Sequence, residues 1–119
     1  MRHRNKKPKL NLACNPRRSL LRNMATSLIL TEKIETTAAK AKALQPIIDR
    51  LIGYALKDEP REAIRKLNAY LFHQAASRKV LEVLKPRFQD RKSGFTRLRK
   101  VGIRQGDGSS ISRIELISA

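Results

Sequence analysis

Cysteine occurs once in this chain, tryptophan not at all, and carboxylates are scarce. The lone Cys14 excludes an internal disulfide and any zinc site built on several cysteines. Three Phe and two Tyr are all the aromatics there are. That is too few for a nucleic-acid reader that stacks successive bases on a platform of rings. Long hydrophobic runs are also missing. The longest apolar stretches are short, as in LIGYAL at 51–56, far below the roughly 20 residues a membrane-spanning helix needs. The opening MRHRNKKPKLN is charged and no apolar region follows it, which does not fit a secretory signal. It is too short, and lacks the amphipathic leucines, for an organellar targeting peptide. The cytoplasm is the simplest compartment left.

What is abundant is positive charge. The 119 residues carry 27 Lys and Arg against 10 Asp and Glu, a net charge of +17. The length fits one domain, and an apolar fraction of 40% supports a modest core. Self-repulsion on this scale is relieved by a polyanion, whose condensed counterions are released when its phosphates are neutralised. Nucleic acid is therefore the expected partner. An anionic membrane surface and an acidic protein are the alternatives.

Residues 1–15 read as an extended basic arm, disordered alone and ordered by its partner. A helix is expected from Asn15 as N-cap and Pro16 as first residue. Leu20, Met24 and Leu28, with Leu21, Ala25 and Ile29 beside them, form its apolar stripe. Arg18 and Arg22 lie one turn apart on another face. KIETT (33–37) reads as a short strand. Thr37 then caps a long helix, with a kink or restart expected at Pro46. Pro60 opens a further helix striped by Ala63, Ile64, Leu67, Tyr70 and Leu71, with Glu62 and Lys66 as an i,i+4 pair. After a break near Phe72 and His73, QAASRKVLEVL reads as a helix that Pro86 stops. FTRLRKVGIR and ISRIELI, joined by QGDGSS, read as an antiparallel hairpin. The expected fold class is α+β: about four helices packed on a three-stranded sheet that ends in a β-hairpin, plus the basic arm. The domain division is 1–15 for the arm and 16–119 for a single globular unit.

SGFTRLRK (93–100) shares only its Gly-Phe pair with an RNA-recognition strand. Phe95 is expected in the core or packed on the sheet. Phe95, Arg97, Arg99 and Val101 share one strand face, and Thr96, Leu98, Lys100 and Gly102 the other. This mixed pattern suits an edge strand, with Glu115 on its partner positioned to pair with one of the arginines. No Gly-Lys-Ser/Thr triplet exists for a phosphate loop. His3, His73 and Cys14 match no metal-ligand spacing. Asp49, Asp58, Asp90 and Asp107 are isolated carboxylates, with no acid-base pairing to support catalysis. No cofactor is expected.

Several short motifs, in order along nearly the whole chain, carry a resemblance. They are MRHR (1–4) with Leu10-Asn11, RNMATSL (22–28), TTAAKAKAL (36–44), PRFQDRKSGFTR (86–97), RQGDG (104–108) and IEL (114–116). Together they resemble the bacterial large-subunit ribosomal protein seventeen family. Two positions depart from the family pattern: ACNP (13–16) stands where Ser-Ser-His is usual, and Ser93-Gly94-Phe95 where Gly-Gly-Tyr is usual. The resemblance implies a non-enzymatic structural protein of the cytoplasmic large subunit, with a small α/β domain and a basic N-terminal extension. It further implies binding to 23S rRNA near the peptide-exit side and contact with neighbouring ribosomal proteins. It does not suggest a membrane, a small-molecule substrate or an obligate homo-oligomer.

The candidate RNA contacts are Arg2, His3, Arg4, Lys6, Lys7 and Lys9 in the arm, and Arg17, Arg18, Arg22 and Asn23 on the first helix. Lys40, Lys42, Arg97, Arg99 and Lys100 are those of the globular body. The expected mode is recognition of phosphates and shape. The rival is a free nucleoid-associated or RNA-chaperone protein that binds nucleic acid without a fixed site. A second rival, an rRNA-processing enzyme, lacks the constellation it would need.

Overall fold

The computed structural model describes residue 3 and residues 8–117. Helix α1 (Cys14–Thr31) leads into strand β1 (Lys33–Thr37) and the long helix α2 (Ala38–Lys57). Helices α3 (Pro60–Tyr70) and α4 (Gln74–Lys79) follow. From α4 the rod continues through a π turn (Val80–Leu84) into the short α5 (Lys85–Arg87). The hairpin of β2 (Thr96–Ile103) and β3 (Ser110–Leu116) closes the chain. The sheet is antiparallel in the order β1-β3-β2, so β2 is an edge, as the mixed pattern of SGFTRLRK led us to expect. The fold is α+β, with helices covering one face of a three-stranded sheet.

Helix α1 begins at Cys14, two residues before the expected start, with Ala13 at the cap position and no side-chain cap. Pro16 is tolerated because the first-turn N–H groups have no intrahelical acceptor. The first i→i−4 bond from beyond the proline runs from Arg17 N–H to the Ala13 carbonyl at 3.0 Å. Thr37 does occupy the N-cap of α2, but makes no side-chain bond there.

No restart occurs at Pro46, and α2 is one helix from Ala38 to Lys57. The missing N–H costs on the order of 3 kcal/mol. On either side of it, Ala41, Leu44, Ile48, Leu51, Ile52 and Ala55 hold a single buried stripe. Each large side chain in that stripe contributes about 1.5–3 kcal/mol, so burial outweighs the lost bond.

Pro86 likewise fails to stop its helix. The π turn at Val80–Leu84 widens the backbone just ahead of it, and Lys85 N–H bonds back to the Val80 carbonyl. A widened turn relieves the clash of the proline ring with the preceding turn. Phe88 N–H then completes the rod by bonding to the Leu84 carbonyl at 3.0 Å. Lys66 also differs from expectation: it pairs with Asp58 at 2.7 Å rather than with Glu62.

The core lies between α2 and the sheet. Leu28 and Ile29 of α1, Leu44, Ile48 and Ile52 of α2, Leu67 of α3, Val80 and Leu84 of the rod, and Ile114 of β3 are all fully buried. Phe88 and Phe95 close its lower edge, ring centroids 5.1 Å apart and tilted by 55°. Phe95 does not share a face with Arg97 as strict alternation implies. It precedes the strand, and Gly94 at φ +71° turns the chain so that the ring enters the core. Its N–H is held by Asp49 Oδ1 at 3.3 Å.

Candidate nucleic-acid interface

The two faces of the sheet follow from register. Thr96, Ser112, Ile114 and Leu116 are buried on the face that α2 covers. The opposite face is open, and charged side chains stand on it in two cross-strand rows. Lys33, Glu115 and Arg97 form one; Glu35, Arg113 and Arg99 form the other. Four cations face two carboxylates. Glu35 pairs with Arg113 at 2.9 Å, and Glu115 reaches diagonally to Arg99 at 3.0 Å. Glu35 raises the Arg113 guanidinium further above its ordinary range, first through their hydrogen bond and then through charge. Lys33 and Arg97 take part in no ion pair among the described residues.

Lys100 lies on the other face, at the rim. Its row runs Lys100, Ser112, Thr36, one step from Thr37 at the α2 N-cap. Lys40 and Lys42 stand on the first turns of that helix, half-buried and exposed respectively. The two lysines and Lys100 are thereby brought to the same end of the sheet. An isolated helix start disfavours cations, because the macrodipole places partial positive charge there. Beyond this rim the hairpin tip is braced by Arg104 and Asp107, whose ion pair spans 2.6 Å. Arg104, and behind it the Ser109 N–H, holds the Asp107 carboxyl well below the usual carboxylate range.

The first helix splits its candidates. Arg17 is half-buried; Arg18 and Asn23 are exposed. Arg18 approaches only Cys14 Sγ, at 3.9 Å. Arg22 instead serves the fold. Its Nε donates to the Tyr70 carbonyl and its Nη2 to the Ala69 carbonyl at 3.1 Å. These carbonyls end α3 and are orphaned by helix geometry. The same guanidinium lies 4.4 Å from the Phe72 ring centroid. In the arm, Arg2, Arg4, Lys6 and Lys7 lie outside the described residues. His3 and Lys9 are exposed.

Lys33, Arg113 and Arg50 are cations that sequence reading did not single out. The alternation in SRIEL carried a signal for Arg113, since Ile114 and Leu116 point inward and leave Arg113 and Glu115 outward. Among the described residues, no three of His, Cys, Asp and Glu gather as a metal-binding cluster. No helix there is long and apolar enough to cross a membrane.

The arrangement is a folded core with cations projecting in several directions and few acids to neutralise them. Comparison with known proteins is then decisive. The family model described as ribosomal protein L17 matches residues 20–117.

The chain belongs to the ribosomal protein L17 family.

The match runs from within α1 to the end of β3, so it covers the open face of the sheet, the lysine rim and Arg22, while Arg17 and Arg18 precede it. Similar proteins extend it over the arm. A large ribosomal subunit protein bL17 of Thermomicrobium roseum is 42% identical over 118 residues, covering 99% of this chain and 100% of the relative. The bL17 protein of Gemmatimonas aurantiaca is 43% identical over 117 residues, 98% of each chain. That of Endomicrobium trichonymphae is 38% identical over 110 residues, 92% of this chain and 93% of its own.

Proposed function

We propose that this chain is a structural protein of the large ribosomal subunit that binds 23S rRNA, through phosphate and shape contacts, near the peptide-exit side. The observation that carries this reading is membership of the L17 family, with relatives of matching length named as large-subunit proteins. The charge distribution supports it. Even if every one of the 10 carboxylates were paired, a surplus of 17 positive charges would remain for a partner. In this reading Arg2, His3, Arg4, Lys6, Lys7 and Lys9 thread the arm between RNA helices. Arg17, Arg18 and Asn23 approach phosphates from α1, with Arg22 close behind them. Lys40, Lys42 and Lys100 meet RNA at the rim, and Arg97 and Arg99 on the open face. Arginine suits two-bond contacts with phosphate, lysine a mobile point charge. Neighbouring ribosomal proteins are the further partners, and the cytoplasmic ribosome is the location. The role requires no catalysis.

The test is sedimentation. The tagged chain, expressed in a bacterial host, is expected to travel with large subunits through a moderate-salt wash. Recovery only in the free soluble fraction would overturn the reading.

A further inference from the structure

The two tyrosines of the chain are 16 positions apart in sequence (54 and 70), yet they line one cleft. This cleft, of about 290 Å³, lies between α2 and α3. Ile47, Leu51 and Ala69 contribute its apolar lining, Tyr54 and Tyr70 its rings, and Arg50 and Lys66 its charge. A neighbouring hollow of about 310 Å³ shares Arg50, Tyr54 and Lys66 and is lined further by Lys57, Lys92 and two acids, Asp49 and Asp58. Both acids of that hollow have hydrogen-bond partners. Asp49 accepts the Phe95 N–H, and Asp58 is paired with Lys66, whose Nζ lies 4.9 Å from the Tyr54 ring centroid. Arg18, Arg22 and Arg50 form no ion pair among the described residues. Arg22 stands 5.7 Å from the Tyr70 ring centroid. Burial pushes the Tyr70 phenol up, and the charges of Arg50, Arg22 and Arg18 act against that rise, so all three are felt at one hydroxyl.

We propose that this cleft holds one unpaired RNA nucleotide, its base against the tyrosine rings and a flanking phosphate on Arg50. The inference rests on the RNA-binding reading above and sharpens it. Bases inside a duplex present no free face to a protein ring, whereas bulged or looped bases do. A planar base matches an apolar lining flanked by two rings, and every base has a π face to offer. The Arg50 guanidinium at the same mouth, in no ion pair among the described residues, suits phosphate, which arginine grips with two bonds at once. An acidic peptide could satisfy the charges but would leave the rings and the apolar lining without a match. The cleft therefore adds a local contact with a single nucleotide to a surface that otherwise recognises phosphate and shape.

The probes are a short RNA hairpin with one bulged adenosine, the same hairpin without the bulge, and a polyglutamate peptide. With fluorotyrosine incorporated, each tyrosine gives one fluorine signal, and both report on the cleft because the chain has only these two. The bulged hairpin is expected to shift both signals and to bind on the order of tenfold tighter than the paired one. Tyr54→Leu and Tyr70→Leu should each remove most of that preference, while Tyr54→Phe and Tyr70→Phe, which keep the ring, should retain it. Equal affinity for the two hairpins overturns the proposal while leaving RNA binding intact. So does a preference that survives both leucine substitutions, or a peptide that shifts the signals as strongly as the bulge. Failure to bind either hairpin overturns this proposal and the RNA-binding reading together.

Discussion

Gly94 sits at φ +71°, and a Cβ there would meet only open space. The requirement for glycine is therefore one of backbone conformation and not of room. An L-residue in that region costs roughly 1–2 kcal/mol. Gly94→Ala should lower stability by about that amount in chemical unfolding, with the Phe88–Phe95 packing retained. A change below a few tenths would show that the turn relaxes freely. On the open face, Arg97 and Arg99 look equivalent in sequence and are not. Arg99 is tied to Glu115 at 3.0 Å, while Arg97 has no ion-pair partner among the described residues. Exposed pairs of this kind contribute about 0.2–1 kcal/mol, so phosphate competes with the carboxylate easily. Arg97→Ala should weaken RNA binding and reduce the salt slope by roughly one. Glu115→Gln should strengthen binding at low salt by releasing Arg99. Anisotropy titrations against an rRNA fragment check both, and an unchanged affinity in the two variants would remove the open face from the interface.

At the scale of elements, the junction of α1 with β1 holds the helices to the sheet. Glu32 occupies it in the left-handed region at φ 69°. Its N–H caps α1 at the Leu28 carbonyl, and its own carbonyl accepts the Leu116 N–H from β3 at 2.9 Å. Its carboxylate meets Arg87 at 2.6 Å and Lys79 at 3.6 Å, both from the helical rod. Three elements thus converge on one residue. Burial tends to raise the Glu32 carboxyl, but Arg87 and Lys79 outweigh it, and the group ends below its usual value near 4.5. A folded-state value below the unfolded one gives stability that is present above the unfolded value and lost as pH falls through the folded one. Glu32→Gln should therefore lower the urea midpoint at pH 7. Wild type and variant should converge as the pH drops below about 4.5, the usual value. A difference between them that is constant with pH would mean the carboxylate charge is not the source. The two internal prolines belong to this scale as well. A kink or restart was expected at Pro46 and a stop at Pro86, yet α2 runs through Pro46 without a restart and a π turn admits Pro86, because the buried stripe on either side is continuous.

At the scale of the whole molecule, the net charge of +17 makes binding to any polyanion steeply salt-dependent. Steepness alone does not separate a ribosomal protein from a free nucleic-acid binder. Discrimination does. As salt rises, a structured rRNA fragment should keep its advantage over unrelated duplex DNA, because shape contacts do not release counterions. Parallel loss of both affinities to a common value would favour the free nucleoid-type rival. Four of the ten carboxylates serve the fold: Glu32 at the helix–sheet junction, Asp49 beneath Phe95, Asp58 on Lys66 and Asp107 in the hairpin tip.

Much of this was legible in the residues themselves. Charge surplus is a sum and does not depend on the fold, so a polyanion partner followed from composition. Helix and strand order followed from periodicity and turn chemistry, which are local, as in the stripe Ala76, Val80, Leu84 and the QGDGSS turn. The ordered motifs from RNMATSL to IEL identified the family for the same reason: they are read along the chain. Only the tertiary structure decided which cations are free. Arg22 and Arg18 are one turn apart, but Arg22 is held by carbonyls 47 and 48 positions away, and Arg113 by a carboxylate 78 positions away. It also brought Tyr54 and Tyr70 to one cleft, whereas the burial of Phe95 was legible in the residues and only its route, through the turn at Gly94 ahead of β2, was not. Such partnerships arise from register and packing between distant segments, and no local pattern encodes them.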